Sequence, residues 1–144
     1  MTEEERKELL LKDLCTRLPY RVKVYAEYID TGIEVEKVGV LSMVDNDTII
    51  AFTCDDMNCY NYVAIHEVKP YLFPLSSMTE EQKREYNKWR HEVPVCHHEY
   101  GDVVEEIELY DSPEFFDYLI ENHFDYLGLI PMGLAIDATN KNIY

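Results

Sequence analysis

The sequence reads as a single α+β domain over residues 1–144: an N-terminal helix, a strongly bent antiparallel β-sheet or small barrel, and two further helices packed on it. Three observations predict this. Leu10, Leu14 and Leu18 recur at helical spacing ahead of Pro19. Between residues 20 and 68, short stretches with strand patterning are separated by turn residues. Beyond residue 79, two capping signals open helices on either side of one alternating stretch.

Thr2 and Glu5 match a capping box, and Glu3, Glu4 and Glu5 sit where the helix dipole favours acids. A helix is expected over 3–17, stopped by Pro19. A β meander follows over 20–68. Val22, Val24, Ala26 and Tyr28 alternate with Arg21, Lys23, Tyr25 and Glu27, the pattern of a half-buried strand. Thr31-Gly32 supplies a turn. Val35 to Val44 reads as a second strand, where Gly39 marks a bulge or bend. Asp45-Asn46-Asp47 is a turn, and Thr48 to Thr53 is apolar on both faces, as a central strand is. Cys54 to Cys59 reads as a loop, and Tyr60 to Val68 as a fourth strand carrying His66.

Residues 69–79 read as a strap, with Pro70 and Pro74 breaking any regular ladder. A helix–strand–helix unit is expected over 80–122. Thr79 and Gln82 form a second capping box ahead of a helix over 80–91, ended by Val93-Pro94-Val95. Tyr100-Gly101-Asp102 turns into an alternating strand over 103–110, whose Glu106 and Glu108 protect an edge. Ser112-Pro113 opens a third helix over 113–122, buried through Phe115, Phe116, Leu119 and Ile120. The apolar segment from Phe124 to Ile136 is expected to dock, and the last eight residues to fray.

The chain has 29 acidic and 13 basic residues, a formal net charge of −16. That argues against nucleic acid and anionic membrane as partners, since both need a positive surface. It suits a solvated surface or a basic protein partner. No apolar run reaches the length of a membrane span. The acidic start lacks the basic and apolar regions of a signal peptide, which makes the cytoplasm the expected compartment. Cys15, Cys54, Cys59 and Cys96 are then expected as free thiols.

Two resemblances follow from these residues. The helix, Arg21-Val22-Lys23-Val24, Gly39-Val40-Leu41 ahead of Asp45, and Val63-Ala64-Ile65 resemble, over residues 9–72, the order of Sm-like and SH3-like small barrels. Sm-like proteins often bind RNA through their turns; here Asp45-Asn46-Asp47 and Asp55-Asp56-Met57-Asn58 are acidic, which opposes that activity. Separately, Leu10 to Tyr20, Lys69 to Leu72 with Pro74 to Glu81, and Asn122 to Tyr126 with Gly128 to Ile130 resemble blocks of a group of short uncharacterised proteins of gut bacteria and their phages and mobile elements. This second resemblance implies a small accessory protein of phage type and carries over no site residues.

The candidate chemistry is sparse. Cys54 and Cys59, with His91, Cys96, His97 and His98, have zinc-ligating side chains, but the second group lacks paired spacing, so a metal-free loop and a polar surface fit better. Asp45, Asp47, Asp55 and Asp56 offer oxygens to a hard cation, but without a calcium-loop pattern they suit turns that cap their own backbone. His66 is a general-base candidate without a visible nucleophile, and a hydrogen-bonded structural role fits it better. His123 is placed to cap the third helix as a cation. No P-loop, dinucleotide or nucleophile motif is present, and no cofactor is implied.

Three functions are compatible, in this order. The first is a binding protein acting through protein contacts, by way of counter-defence or nucleic-acid mimicry, with Glu106 and Glu108 on its partner surface. The second is a small-ligand or nucleotide binder, with Tyr71, Phe73, Tyr86 and Trp89 stacking on a base and Arg84, Lys88 and Arg90 meeting phosphate. The third is a hydrolase using the His- and acid-rich half.

Overall fold

A computed structural model describes the chain except residues 46–48, 55–59, 89, 100–101 and 112. Side chains are described except at residues 86, 88, 90–99 and 102–111. The chain divides into two compact units, Met1–Ser77 with Ile120–Tyr144, and Met78–Leu119.

In the larger unit, α1 spans Glu3–Arg17 and opens with the expected box: Thr2 Oγ1 accepts from the Glu5 N–H, and Glu5 Oε2 from the Thr2 N–H. The helix passes into a 3₁₀ turn, Leu18–Tyr20, so Pro19 tightens the chain rather than simply stopping it. Arg21 then takes a left-handed conformation (φ 56°) and launches β1, Lys23–Asp30. Thr31 and Gly32 both have positive φ (49° and 81°), as a two-residue hairpin turn requires. β2 is Ile33–Val44, β3 Ile49–Thr53, β4 Tyr60–Ala64, β5 Val68–Leu72 and β8 Ile136–Asp137. Their order is β4-β3-β2-β1-β5-β8.

The sheet is not closed into a barrel; it ends at β4 on one side and at β8 on the other. It is also mixed rather than antiparallel throughout, because the returning C-terminal segment lays β8 parallel to β5. The expected fourth strand is two elements. A 3₁₀ turn, Ile65–Glu67, separates β4 from β5, so His66 lies on a turn and not on a strand. The strap is corrected as well, since its first part is β5. Pro70 sits opposite Val24, and β8 begins to pair only at Tyr71, so at Pro70 the strand has one partner and the missing N–H is tolerated.

One face of this sheet carries the core. Val22, Val24, Ala26, Leu41, Ile50, Phe52, Val63, Val68 and Leu72 meet Leu10 and Leu14 of α1 and Leu129 and Ala135 of the C-terminal segment. Gly39 proves to be needed for close approach rather than for a bend. A Cβ there would lie 2.6 Å from the Thr53 carbonyl oxygen and 2.7 Å from a ring carbon of Phe52. The bulge falls instead between Leu41 and Met43. The extra residue, Ser42, reverses the alternation, so Met43 leaves the core face and Val44 joins it.

The chain end is ordered, not frayed. Phe73 donates to the His123 carbonyl and accepts from the Asp125 N–H, and the Ala138 N–H donates to Leu72 O. The Tyr144 hydroxyl donates to Tyr71 O (2.9 Å) and accepts from the Lys23 N–H (2.8 Å).

In the smaller unit, α2 is Glu80–Lys88, opened by the Thr79–Gln82 box. β6 (Arg90–Glu99) and β7 (Asp102–Asp111) form a two-stranded ribbon. The expected break at Val93-Pro94-Val95 is therefore strand: Pro94 pairs with Ile107 in a ribbon where each strand keeps an open edge. The helix α3, Pro113–Glu121, begins in this unit. Phe115 and Leu119 are buried, whereas Phe116, expected in the same stripe, is 42% exposed and meets Phe115 edge-on at 5.3 Å. Asn46, Asp47, Thr48, residues 55–59, Trp89, Tyr100, Gly101 and Ser112 lie outside the described residues.

Candidate functional site

The face of the sheet opposite the core is built by register. Tyr25 pairs with Val38, Val40 with Thr53, Thr53 with Tyr60, and Ala51 with both Met43 and Tyr62. Paired residues share a face, and so do residues two apart on one strand. Val38, Met43, Ile49, Tyr60 and Tyr62 therefore stand together on this outer face, and each is exposed, Tyr60 and Tyr62 to 60% and 62%. The Ser42 bulge is what brings Met43 into the group. Among the described strands β4 pairs only with β3, so the two tyrosines also border an open edge.

The same face carries an electrostatic conflict. Glu27 and Glu36 are directly opposite across β1 and β2, and both are exposed. Like charges so placed repel. The Tyr25 hydroxyl is pushed up to about 12 by partial burial and by the neighbouring carboxylates of Glu36 and Glu27. It stays protonated at neutral pH. Glu34, opposite Ile29, adds a third exposed carboxylate.

Behind the core lies a buried ionic node absent from the sequence reading. Arg17 Nε donates to Asp13 Oδ2 at 2.8 Å, and Arg17 Nη2 donates to Phe124 O at 2.6 Å; neither side chain is exposed. The guanidinium also lies 5.5 Å from the Tyr126 ring centre. Burial pushes the Asp13 carboxyl up, Arg17 pulls it back, and the Asp125 charge adds to the rise. Asp125 accepts from the Leu129 and Ile130 N–H groups and so fixes the turn that follows. These groups clamp α1 to the C-terminal segment and are remote from solvent, which makes their role structural.

His123 corrects its expected role. It ends α3 through its backbone, in the left-handed region (φ 63°), with its N–H donating to Ile120 O. Its imidazole stacks on Tyr144 at 3.9 Å. Burial and the Arg17 charge lower its pKa to about 4, so it is neutral, not the expected helix-capping cation.

Of the expected ligand group, Tyr71 is buried on β5, and Phe73 packs against Phe124 and Tyr144 (6.3 and 5.8 Å). Arg84 is exposed on α2 in the smaller unit. Trp89 and the side chains of Tyr86, Lys88 and Arg90 lie outside the description. Glu106 and Glu108 sit on β7 opposite Val95 and Val93. Cys54 is half-buried and accepts from Asn61 Nδ2 at 3.8 Å; Cys59 and the side chains of His91, Cys96, His97 and His98 are outside the described set. Cys15, expected to pack like a small apolar residue, is instead exposed on α1. Among the described residues no three His, Cys, Asp or Glu side chains gather to hold an ion, and no helix is long and apolar enough to cross a membrane.

Signals for what was missed were present in part. Leu10, Asp13, Leu14 and Arg17 share the i, i+3, i+4, i+7 spacing of one helix face, so an acid and a base stood on the apolar stripe. Tyr60-x-Tyr62 beside a strand apolar on both faces pointed to a second apolar surface. Comparison with protein-family models, curated proteins and solved structures finds no match.

Proposed function

We propose that this chain is a binding protein that engages a basic protein partner through the outer face of its sheet. One observation carries the reading: an exposed apolar and aromatic group, Val38, Met43, Ile49, Tyr60 and Tyr62, adjoins the opposed pair Glu27 and Glu36. Contiguous exposed apolar surface marks interaction sites, and tyrosine contributes large contact area at small entropic cost. Cationic side chains between Glu27 and Glu36 would relieve their repulsion, so the bound state gains where the free state is strained. A net charge of −16 steers a basic partner and repels acidic ones. The open edge of β4 adds backbone groups that an extended partner segment can pair. Basic surfaces of this kind commonly serve nucleic acid, so the chain would act by occupying one, as suits a small accessory protein of phage type.

The test is retention of proteins from bacterial lysate by immobilised wild type and by Tyr62→Glu, at low salt where charge attraction is strongest. The expected result is a basic protein held by wild type, released by added DNA, and lost with Tyr62→Glu; a loss beyond ~2 kcal/mol, roughly 30-fold, is usual for a central anchor. Equal retention by both chains refutes the proposal. If wild type dimerises in solution and Tyr62→Glu does not, the face belongs to a second copy instead.

A further inference from the structure

A separate cavity of about 220 Å³ lies within the larger unit, between the start of α1, the 3₁₀ turn before β5, and the segment at Gly133-Leu134. Its making follows from spacing. On α1, Glu3, Arg6, Lys7 and Leu10 share one face. Leu10 enters the core, and the polar residues one turn earlier stay at the surface. On the opposite wall, Ile65 and Val68 are 1% exposed, while the intervening and following residues, His66 and Lys69, point out. The floor is therefore aliphatic and the rim is cationic.

Three fixed cations, Arg6, Lys7 and Lys69, line this cavity against one acid, Glu3. In a chain with 13 basic and 29 acidic residues that local sign is reversed. Arg6 is held in place: its Nη2 donates to Met132 O at 2.7 Å, which leaves the rest of its guanidinium fork for other acceptors. Lys7 has a 3.8 Å contact with Glu4, but both side chains are exposed, so the contact holds it weakly.

We infer that this cavity is a binding site for a small organic anion, with the anionic head at Arg6, Lys7 and Lys69 and a compact apolar body against the half-buried Leu134 and the aliphatic stems of those cations, above the buried Leu10, Ile65 and Val68. Size agrees, since a benzene-sized body needs roughly 150 Å³. Convergent polar groups beside an apolar wall are a usual build of a small-molecule site. Of the cavity's residues, Lys69 pairs with Tyr25 and so also borders the sheet's outer face, whereas Arg6 and Lys7 stand on α1 and do not.

The test is amide-resolved NMR titration of the full chain with phenyl phosphate and with phenylacetate, alongside inorganic phosphate (head alone) and benzyl alcohol (body alone). Saturable shifts are expected at residues 6–10, 65–69 and 133–134 with one or both organic anions, at affinity at least tenfold above either half. Lys69→Glu, at an exposed position, should weaken binding at least tenfold, and Lys12→Glu, exposed on α1 away from the cavity, less than twofold. Scattered shifts, equal binding of inorganic phosphate, or equal losses in the two variants would overturn the assignment.

Discussion

Replacing Arg17 by Met removes the cation from a fully buried polar site in the larger unit. The side chain is unexposed, and its loss strands two acceptors, Asp13 Oδ2 and Phe124 O, held at 2.8 and 2.6 Å. Leaving one member of a buried pair uncompensated costs about 3–5 kcal/mol. The stranded Phe124 carbonyl adds about 1–3 kcal/mol, and the two do not simply add. Asp13 can escape part of the penalty by taking a proton, because burial already raises its pKa. The expected loss is therefore about 3–5 kcal/mol, a large part of the 5–15 typical of a domain. Urea denaturation followed by far-UV circular dichroism measures it. The double variant Asp13→Leu with Arg17→Met should recover most of the loss, keeping about 1–2 kcal/mol for the orphaned carbonyl. An Arg17→Met loss below ~1 kcal/mol, or a double variant worse than the single, would refute the reasoning.

Three further outcomes are expected. Gly39→Ala should destabilise by about 1–3 kcal/mol in the same assay, because its Cβ meets a backbone oxygen that cannot swing aside. His123 is neutral when folded, with a pKa of about 4 against 6.5 when unfolded, so it contributes stability above pH 6.5 that is lost as pH falls towards 4. The full shift corresponds to about 3 kcal/mol, and partial solvent access reduces it to about 1–2 kcal/mol; the stability of wild type relative to His123→Asn, which keeps the left-handed backbone, should fall by that amount as pH drops across that window in paired denaturation curves. Tyr144→Phe strands the Tyr71 carbonyl and the Lys23 N–H, and should lower stability by about 1–2 kcal/mol while quickening amide exchange around residues 136–144.

The sequence made local signals legible and distant ones not. Thr2 with Glu5, Thr79 with Gln82, and Thr31-Gly32 fix their elements through neighbours three residues or fewer apart, and each appears where the pattern puts it. Pro70 and Pro94 misled because proline excludes a strand only where both edges are paired. The Ser42 bulge hid the face of Met43, since simple alternation assigns it to the core. Tyr144 looked like a frayed end because its partners, Tyr71 and Lys23, lie 73 and 121 residues away. The cation rim of Arg6, Lys7 and Lys69 had no local signature, because its two walls meet only in the folded unit.

For the outer face itself, the most direct measurement is the affinity of the captured basic partner for wild type, for Tyr62→Glu and for Glu27→Gln with Glu36→Gln, across a salt series. The expected result is a loss of at least 30-fold with Tyr62→Glu at every salt concentration, together with a weaker salt dependence in the double glutamine variant. Unchanged affinity in Tyr62→Glu, or the same salt dependence without the two acids, would contradict a partner seated on this face.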